Sequence, residues 1–240
     1  VVLGELLLLE AEASGWAGDA RHRELAEKAL GLLPPGTAAW ARAAAEVAVA
    51  CRVAGDQEGL RSTAEAMASI TVDHVTLGHA WGIARTVVEL LGAGETALAE
   101  RLIPWITSAA EGADENDAPT LRAMVDWLRA ATALYAGSPA PLCAVAGEIA
   151  STFEAAGHVR YIAIVALHAA VASASVGDWA ASLSWAARAA DLGLRLGLRS
   201  YARRANAIVD DAKRALERTE PFGESDVRLT RDEALDRLRV

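Results

Sequence analysis

Residues 161–197 read YIAIVALHAAVASASVGDWAASLSWAARAADLGLRLG, and this stretch decides the fold. It holds two helical patterns separated by one break. From Tyr161 to Val176 the chain is apolar nearly all round, as expected of a helix enclosed by its neighbours. Gly177-Asp178 interrupts that pattern, and Asp178 is placed to cap the helix that follows. In this second helix Trp179, Leu183, Ala186, Ala190 and Leu194 line one face, while Ser184, Arg188, Asp191 and Arg195 line another. Such a hairpin hides its apolar side by stacking on others of its kind.

The break recurs. Gly18-Asp19, Gly55-Asp56, Gly94-Glu95, Gly137-Ser138 and Gly177-Asp178 follow one another at intervals of 37 to 43 residues. A second set falls between them at Pro34-Pro35-Gly36, Thr71 to Asp73, Gly112 to Asp117, Gly157 and Gly197. The chain is thereby cut into pieces of one helix each, two per period. The expected architecture is all-α: an α-solenoid of about five antiparallel helical hairpins with a C-terminal capping helix. Repeats are expected over about 1–35, 36–72, 73–113, 114–156 and 157–197, with the cap over 198–218.

Individual pieces carry the pattern. Leu121, Met124, Val125, Leu128, Ala131, Thr132 and Tyr135 share one face of a helix that Asp117 caps, with Arg122, Asp126 and Arg129 opposite. Pro104 lies within a helical pattern (Leu98, Leu102, Ile103, Ile106) and is expected to bend or break it. Over 198–218 a narrow seam of Tyr201, Ala205, Ile208, Ala212 and Ala215 is backed by Arg203, Asn206, Asp210, Lys213, Arg214 and Glu217. A broad polar back suits a last helix that no further repeat covers. Residues 219–240 read as a linker, Glu220 to Ser225, followed by a short helix through Leu235 and Leu238 that begins at the capping-box spacing Thr230-Arg231-Asp232-Glu233. That helix either packs back on the array or opens a following segment.

Composition agrees. Of 240 residues 56 are Ala, a strong helix former and a poor strand residue. The net charge of −9 argues against direct nucleic-acid binding, which calls for a basic surface. Residues 188–218 depart from the acidic average with eight Arg or Lys against four acids, as expected of a solvated capping helix. Leu6 to Leu9 lie among Glu5, Glu10 and Glu12 with no basic segment before them, unlike a signal peptide. No membrane span is expected, because the uncharged stretch from Tyr161 to Gly177 falls short of the roughly 20 residues that one needs. Cys51 and Cys143 form neither a metal spacing nor a disulfide framework, so a cytoplasmic location is expected. The chain opens Val1-Val2-Leu3 and reads as a piece of a longer polypeptide.

Gly177-Asp178-Trp179, with Leu183 and Ala189 after it, resembles the turn and second helix of a tetratricopeptide repeat. Lys28-Ala29-Leu30-Gly31-Leu32-Leu33-Pro34 resembles the end of such a repeat with its terminal Pro. The triplet is absent from repeats two to four, and the period is nearer 40 than that family's typical value of about 34. The chain is thus similar to the longer tetratricopeptide-like arrays of large bacterial regulators, including ATPase-linked transcription activators and serine/threonine kinases. The resemblance implies a superhelix whose concave face holds a peptide or a neighbouring domain of the same parent chain.

No catalytic, metal or cofactor motif is evident. His22, His74, His79, His158 and His168 make no ligand-spaced pair. Asp210-Asp211 is followed by Lys213 and reads as a solvated surface pair. Asp114-Glu115-Asn116-Asp117 lacks the alternation of a calcium loop and reads as a helix start. Candidate partner-binding residues follow from counting back along each first helix: Glu5 and Glu12, then Arg42, Val49 and Arg52, then Trp81 and Arg85, then Met124 and Trp127. Trp and Arg are frequent anchors of binding energy, and two Trp flanked by Arg suit an apolar, partly acidic helix or peptide. The alternative is that Trp81 and Trp127 are packed between repeats. Two other functions stand beside this one: an all-helical enzyme with a site assembled from distant residues, and an oligomerisation segment pairing through apolar end helices.

Overall fold

The computed structural model describes residues 1–70, 74–219 and 231–238. The expected break at Thr71 to Asp73, the linker Glu220 to Ser225 and Thr230 of the capping box lie outside the described residues. Twelve helices and no strands occur among the described residues. They are α1 (Val2–Ala17), α2 (His22–Leu32), α3 (Ala38–Ala54), α4 (Gln57–Ser69), α5 (Leu77–Ala93), α6 (Thr96–Gly112), α7 (Ala118–Tyr135), α8 (Ala140–Ala155), α9 (Val159–Ser175), α10 (Trp179–Arg195), α11 (Arg199–Thr219) and α12 (Arg231–Leu238). The chain forms two compact units, Val1–Leu128 and Arg129–Val240, divided within α7.

Each unit is a solenoid-type stack in which helices touch mainly their neighbours. In the first unit α1, α3 and α5 form one row by direct contact, each also packing on an even-numbered helix. In the second, α10 packs on both α9 and α11, and the short α12 lies against α9 and α11. The C-terminal helix therefore packs back on the array.

One turn is built five times. Gly18, Gly55, Gly94, Gly137 and Gly177, which follow α1, α3, α5, α7 and α9, all take left-handed φ values between 71 and 91°. The next residue donates its N–H to the carbonyl five positions back at 2.8–2.9 Å: Asp19 to Ser14, Asp56 to Cys51, Glu95 to Leu90, Ser138 to Ala133 and Asp178 to Ser173. This Schellman closure satisfies carbonyls that the helix end would otherwise leave unpaired. The following acid then starts the next helix, since Asp56 accepts from Gly59 N and Asp178 from Ala181 N, both at 2.9 Å. It also receives the preceding hairpin: Arg23 reaches Asp56 at 2.8 Å, and Arg61 pairs with Glu95.

The apolar faces fall largely where the spacing predicts. Leu121, Met124, Val125, Leu128, Ala131 and Tyr135 are buried, while Arg122, Asp126 and Arg129 are exposed. In α11 Ala205, Ile208, Ala212 and Ala215 are buried beneath an exposed polar back. Two expectations change. Leu194 is 70% exposed; Gly193 takes its place in the seam, where α10 approaches α11 so closely that a Cβ would sit 2.9 Å from Ala202 N. Of the bend or break expected at Pro104, the break does not occur: α6 is continuous from Thr96 to Gly112, with Leu102, Ile103 and Ile106 buried and Pro104 exposed.

A second close approach joins α3 to α5. A Cβ on Gly82 would fall 2.5 Å from the Ala41 carbonyl oxygen, a rigid backbone atom. Gly82→Ala is expected to destabilise the chain by about 2 kcal/mol through forced separation of these helices. The same change at Gly147, exposed in α8 with open space around it, is expected to stabilise by about 0.5–1 kcal/mol. Thermal unfolding of the two variants should therefore shift in opposite directions.

Candidate functional site

Five of the candidate residues, Arg42, Val49, Arg52, Trp81 and Arg85, lie along the row made by α1, α3 and α5, while Met124 and Trp127 lie on α7. Helical spacing places Glu5, Leu9, Glu12 and Trp16 on one face of α1, Arg42, Glu46, Val49 and Val53 on one face of α3, and Trp81 and Arg85 on one face of α5. Charged ties cross between these helices. Arg42 grips Glu12 with Nη2 at 2.6 and 2.7 Å from the two carboxylate oxygens and Nε at 2.8 Å. Arg52 Nη2 donates to the Gly92 carbonyl at 3.0 Å.

At the centre is Glu46, whose side chain is 3% exposed. His22 Nε2 donates to one oxygen at 2.8 Å, and Arg85 Nη1 lies 3.5 Å from the other. The Arg85 guanidinium also stacks on Trp16, 4.0 Å from the ring centroid. Burial pushes the Glu46 carboxyl upward, but the Arg85 charge and the His22 hydrogen bond outweigh it and hold the group below the ordinary carboxylate range. Four helices thus meet on one buried charge. Removing a single partner from such a cluster costs about 3–5 kcal/mol, since it strands the charge left behind.

The seven candidate residues divide by exposure. Arg42, Val49 and Arg52 keep part of their surface in solvent. Trp81, Arg85, Met124 and Trp127 are buried, Met124 and Trp127 completely, so their side chains are committed to packing within the fold. His22 and Glu46 escape sequence reasoning because their 24-residue separation crosses two helices and fits no local motif.

His79 and His168 also have structural work. His79 Nδ1 accepts from Thr76 N at 3.2 Å, and its Nε2 donates to the Gly36 carbonyl at 2.9 Å, so it closes the start of α5 and ties it to the preceding turn. His79 borders a small apolar cleft lined by Trp40, Met67, Ile83 and Trp105. With both ring nitrogens engaged, His79 contributes shape and the cleft offers apolar contact. Cys51 is buried, which pushes its thiol above the usual range. Among the described residues no group of three or more His, Cys, Asp or Glu is arranged to hold a metal, and no helix is long and apolar enough to cross a membrane. No family model, no curated protein and no solved structure matches the chain.

His168 lies in the core of the second unit, edge-on to Tyr135 with ring centroids 6.0 Å apart. Burial drives its pKa down to about 3, with the Arg204 charge acting the same way. The folded chain holds it neutral, whereas the unfolded chain protonates it near pH 6.5. Its contribution is complete above that pH and is lost as pH falls toward 3. Between pH 7 and pH 5 the chain is expected to lose about 2 kcal/mol, and His168→Leu should flatten that slope in urea titrations at the two pH values.

Proposed function

We infer that the chain is a non-catalytic protein-interaction module, the sensor or scaffold section of a larger cytoplasmic bacterial signalling or transcription-regulatory protein. It binds a peptide or neighbouring domain on the face shared by α1, α3 and α5. The tetratricopeptide-like turn and hairpin period support this reading by analogy of architecture. The observation that carries it is a partly exposed strip of mixed chemistry, Glu5, Leu9, Arg42, Val49, Arg52 and Val53, laid over a rigid buried charge cluster. Fixed side chains lose less entropy when a partner arrives. Trp81 and Arg85 support that strip from within.

Burial also weighs against the enzyme alternative. His22 and Glu46 are a histidine–acid pair of the kind that general acid–base chemistry uses. Their side chains are only 10% and 3% exposed, and the Glu46 oxygens face His22 and Arg85. A substrate atom has no room beside them.

Random-peptide display against the folded chain should enrich helical sequences that combine apolar and acidic residues. The double variant Val49→Asp, Arg52→Glu is expected to bind them at least tenfold more weakly with unchanged circular dichroism. Equal binding by the variant moves the site elsewhere, and no enrichment over an unrelated helical protein removes the interaction reading.

A second reading has its own observation. Val2, Leu3, Leu6 and Leu9 of α1 are all more than half exposed, an apolar stripe that a second copy would cover. Light scattering is then expected to show a dimer that Leu6→Glu converts to monomer. A native monomer at high micromolar concentration rules this pairing out.

A further inference from the structure

Helix α9 is buried along thirteen successive residues, Ile162 to Ala174. Its contacts with α8, α10 and α11 cover three sides, and α12 covers another. The contacts of α12 are specific. Leu238 is buried, its carbonyl accepts from Arg204 Nη1 at 2.9 Å, and Arg237 pairs with Asp211. Arg204 is held by Tyr201, its guanidinium 4.5 Å from the ring centroid, so a cation stands ready at the C-terminal end of a docked helix. Asp211, which also pairs with Arg214, supplies the matching anion one face further along α11.

Two features make this docking exchangeable. Arg204 Nε and Arg237 Nε are buried with no acceptor among the described residues, so the seat is imperfectly matched. The docked element has eight residues, too few to be a stable helix by itself, so its helical form depends on the surface beneath it.

We propose that the face formed by α9 and α11 is a helix-binding site, that α12 is its resident ligand, and that its external ligand is an amphipathic helix of another protein ending, like α12, in Arg-Leu. The site reads three things: a leucine to bury against α9, a basic residue before it for Asp211, and free terminal carbonyls for Arg204. Tethering gives α12 a millimolar effective concentration, so an incoming helix competes with it and displaces it only when it fits better or is itself concentrated. The proposal rests on the interaction-module reading but uses a different surface from the α1, α3 and α5 strip. Its residues are absent from the Val49 and Arg52 test, so the two readings fail separately.

The test is fluorescence anisotropy with a labelled peptide of residues 229–240 and the 240-residue chain. Leu238→Asp in the chain releases α12, and this variant is expected to bind the peptide at least tenfold more tightly than the native chain. Adding Asp211→Arg should weaken binding at least tenfold, and a peptide carrying Arg237→Asp should restore it. If Leu238→Asp lowers helix content beyond the loss of α12, Arg237→Asp in the chain releases α12 by charge alone and is read in the same way. Equal binding by native and released chains, or no saturable binding up to millimolar peptide, overturns the proposal. So does a native dimer that Leu238→Asp converts to monomer, which would make the second copy's α12 the occupant.

Discussion

The first unit is organised around a charge it has taken out of water. Glu46 is almost wholly buried and held below the usual carboxylate range, so it is an anion where an anion is costly. Only partners from other helices offset that cost, and they come from α2 as His22 and from α5 as Arg85, with Trp16 of α1 under the guanidinium. Two glycines make the geometry possible. A Cβ on Gly15 would strike the His22 ring at 2.7 Å, and one on Gly82 would strike the α3 backbone three residues before Arg85. Apolar packing alone tolerates a helix sliding by part of a turn. A buried carboxylate with two named partners does not, because each slip strands a charge. The cluster therefore sets the register of α1, α2, α3 and α5.

Against that demand the rest of the chain is locally written, and most of it is legible. Among the described residues eight have positive φ, and all are glycines: Gly18, Gly36, Gly55, Gly94, Gly137, Gly157, Gly177 and Gly197. Every one falls at a break visible in the sequence, because only glycine takes that conformation without strain. Helix faces are legible for a related reason, since a period of 3.6 is a property of nearby residues. Where the reading slips, at Leu194 and Pro104, tertiary contact decides. Gly193 wins its place because α11 comes within backbone distance, and α6 survives its proline because the apolar residues on either side of the ring remain buried.

The site was less legible, and the reason is range. Counting back from the turns identified a face of α3 and α5, and Arg42, Arg52 and Arg85 do lie among the residues that join the odd-numbered helices. What they join was invisible: the Arg42–Glu12 pair spans 30 residues and the Arg52–Gly92 contact 40. An arginine read as a waiting hand for a partner is already holding its own chain. Tryptophan misleads similarly, because its large apolar area suits an exposed anchor and a core equally well. Asp211 shows the reverse error. Read as half of a solvated pair, it is mostly covered and engages Arg214 and Arg237.

The two units apply one hairpin plan to different recognition chemistry. In the first, the odd-numbered row pairs Glu12 with Arg42 and Glu46 with Arg85 between helices, while Arg52 is bonded to the neutral Gly92 carbonyl and keeps its charge. In the second, α9 carries no charged residue between Ile162 and Ala174, and the charges that matter, Arg204 and Asp211, stand on α11. At the paired positions a partner's charge must compete with a pair already made, so on that surface selection for acid falls to Arg52 and the rest is shape. An apolar helix beside one cation and one anion selects instead for a leucine at a fixed distance from a basic residue and a helix end. The chain itself supplies a ligand for the second kind of surface, in α12, while the exposed strip of the first carries its own mixed chemistry.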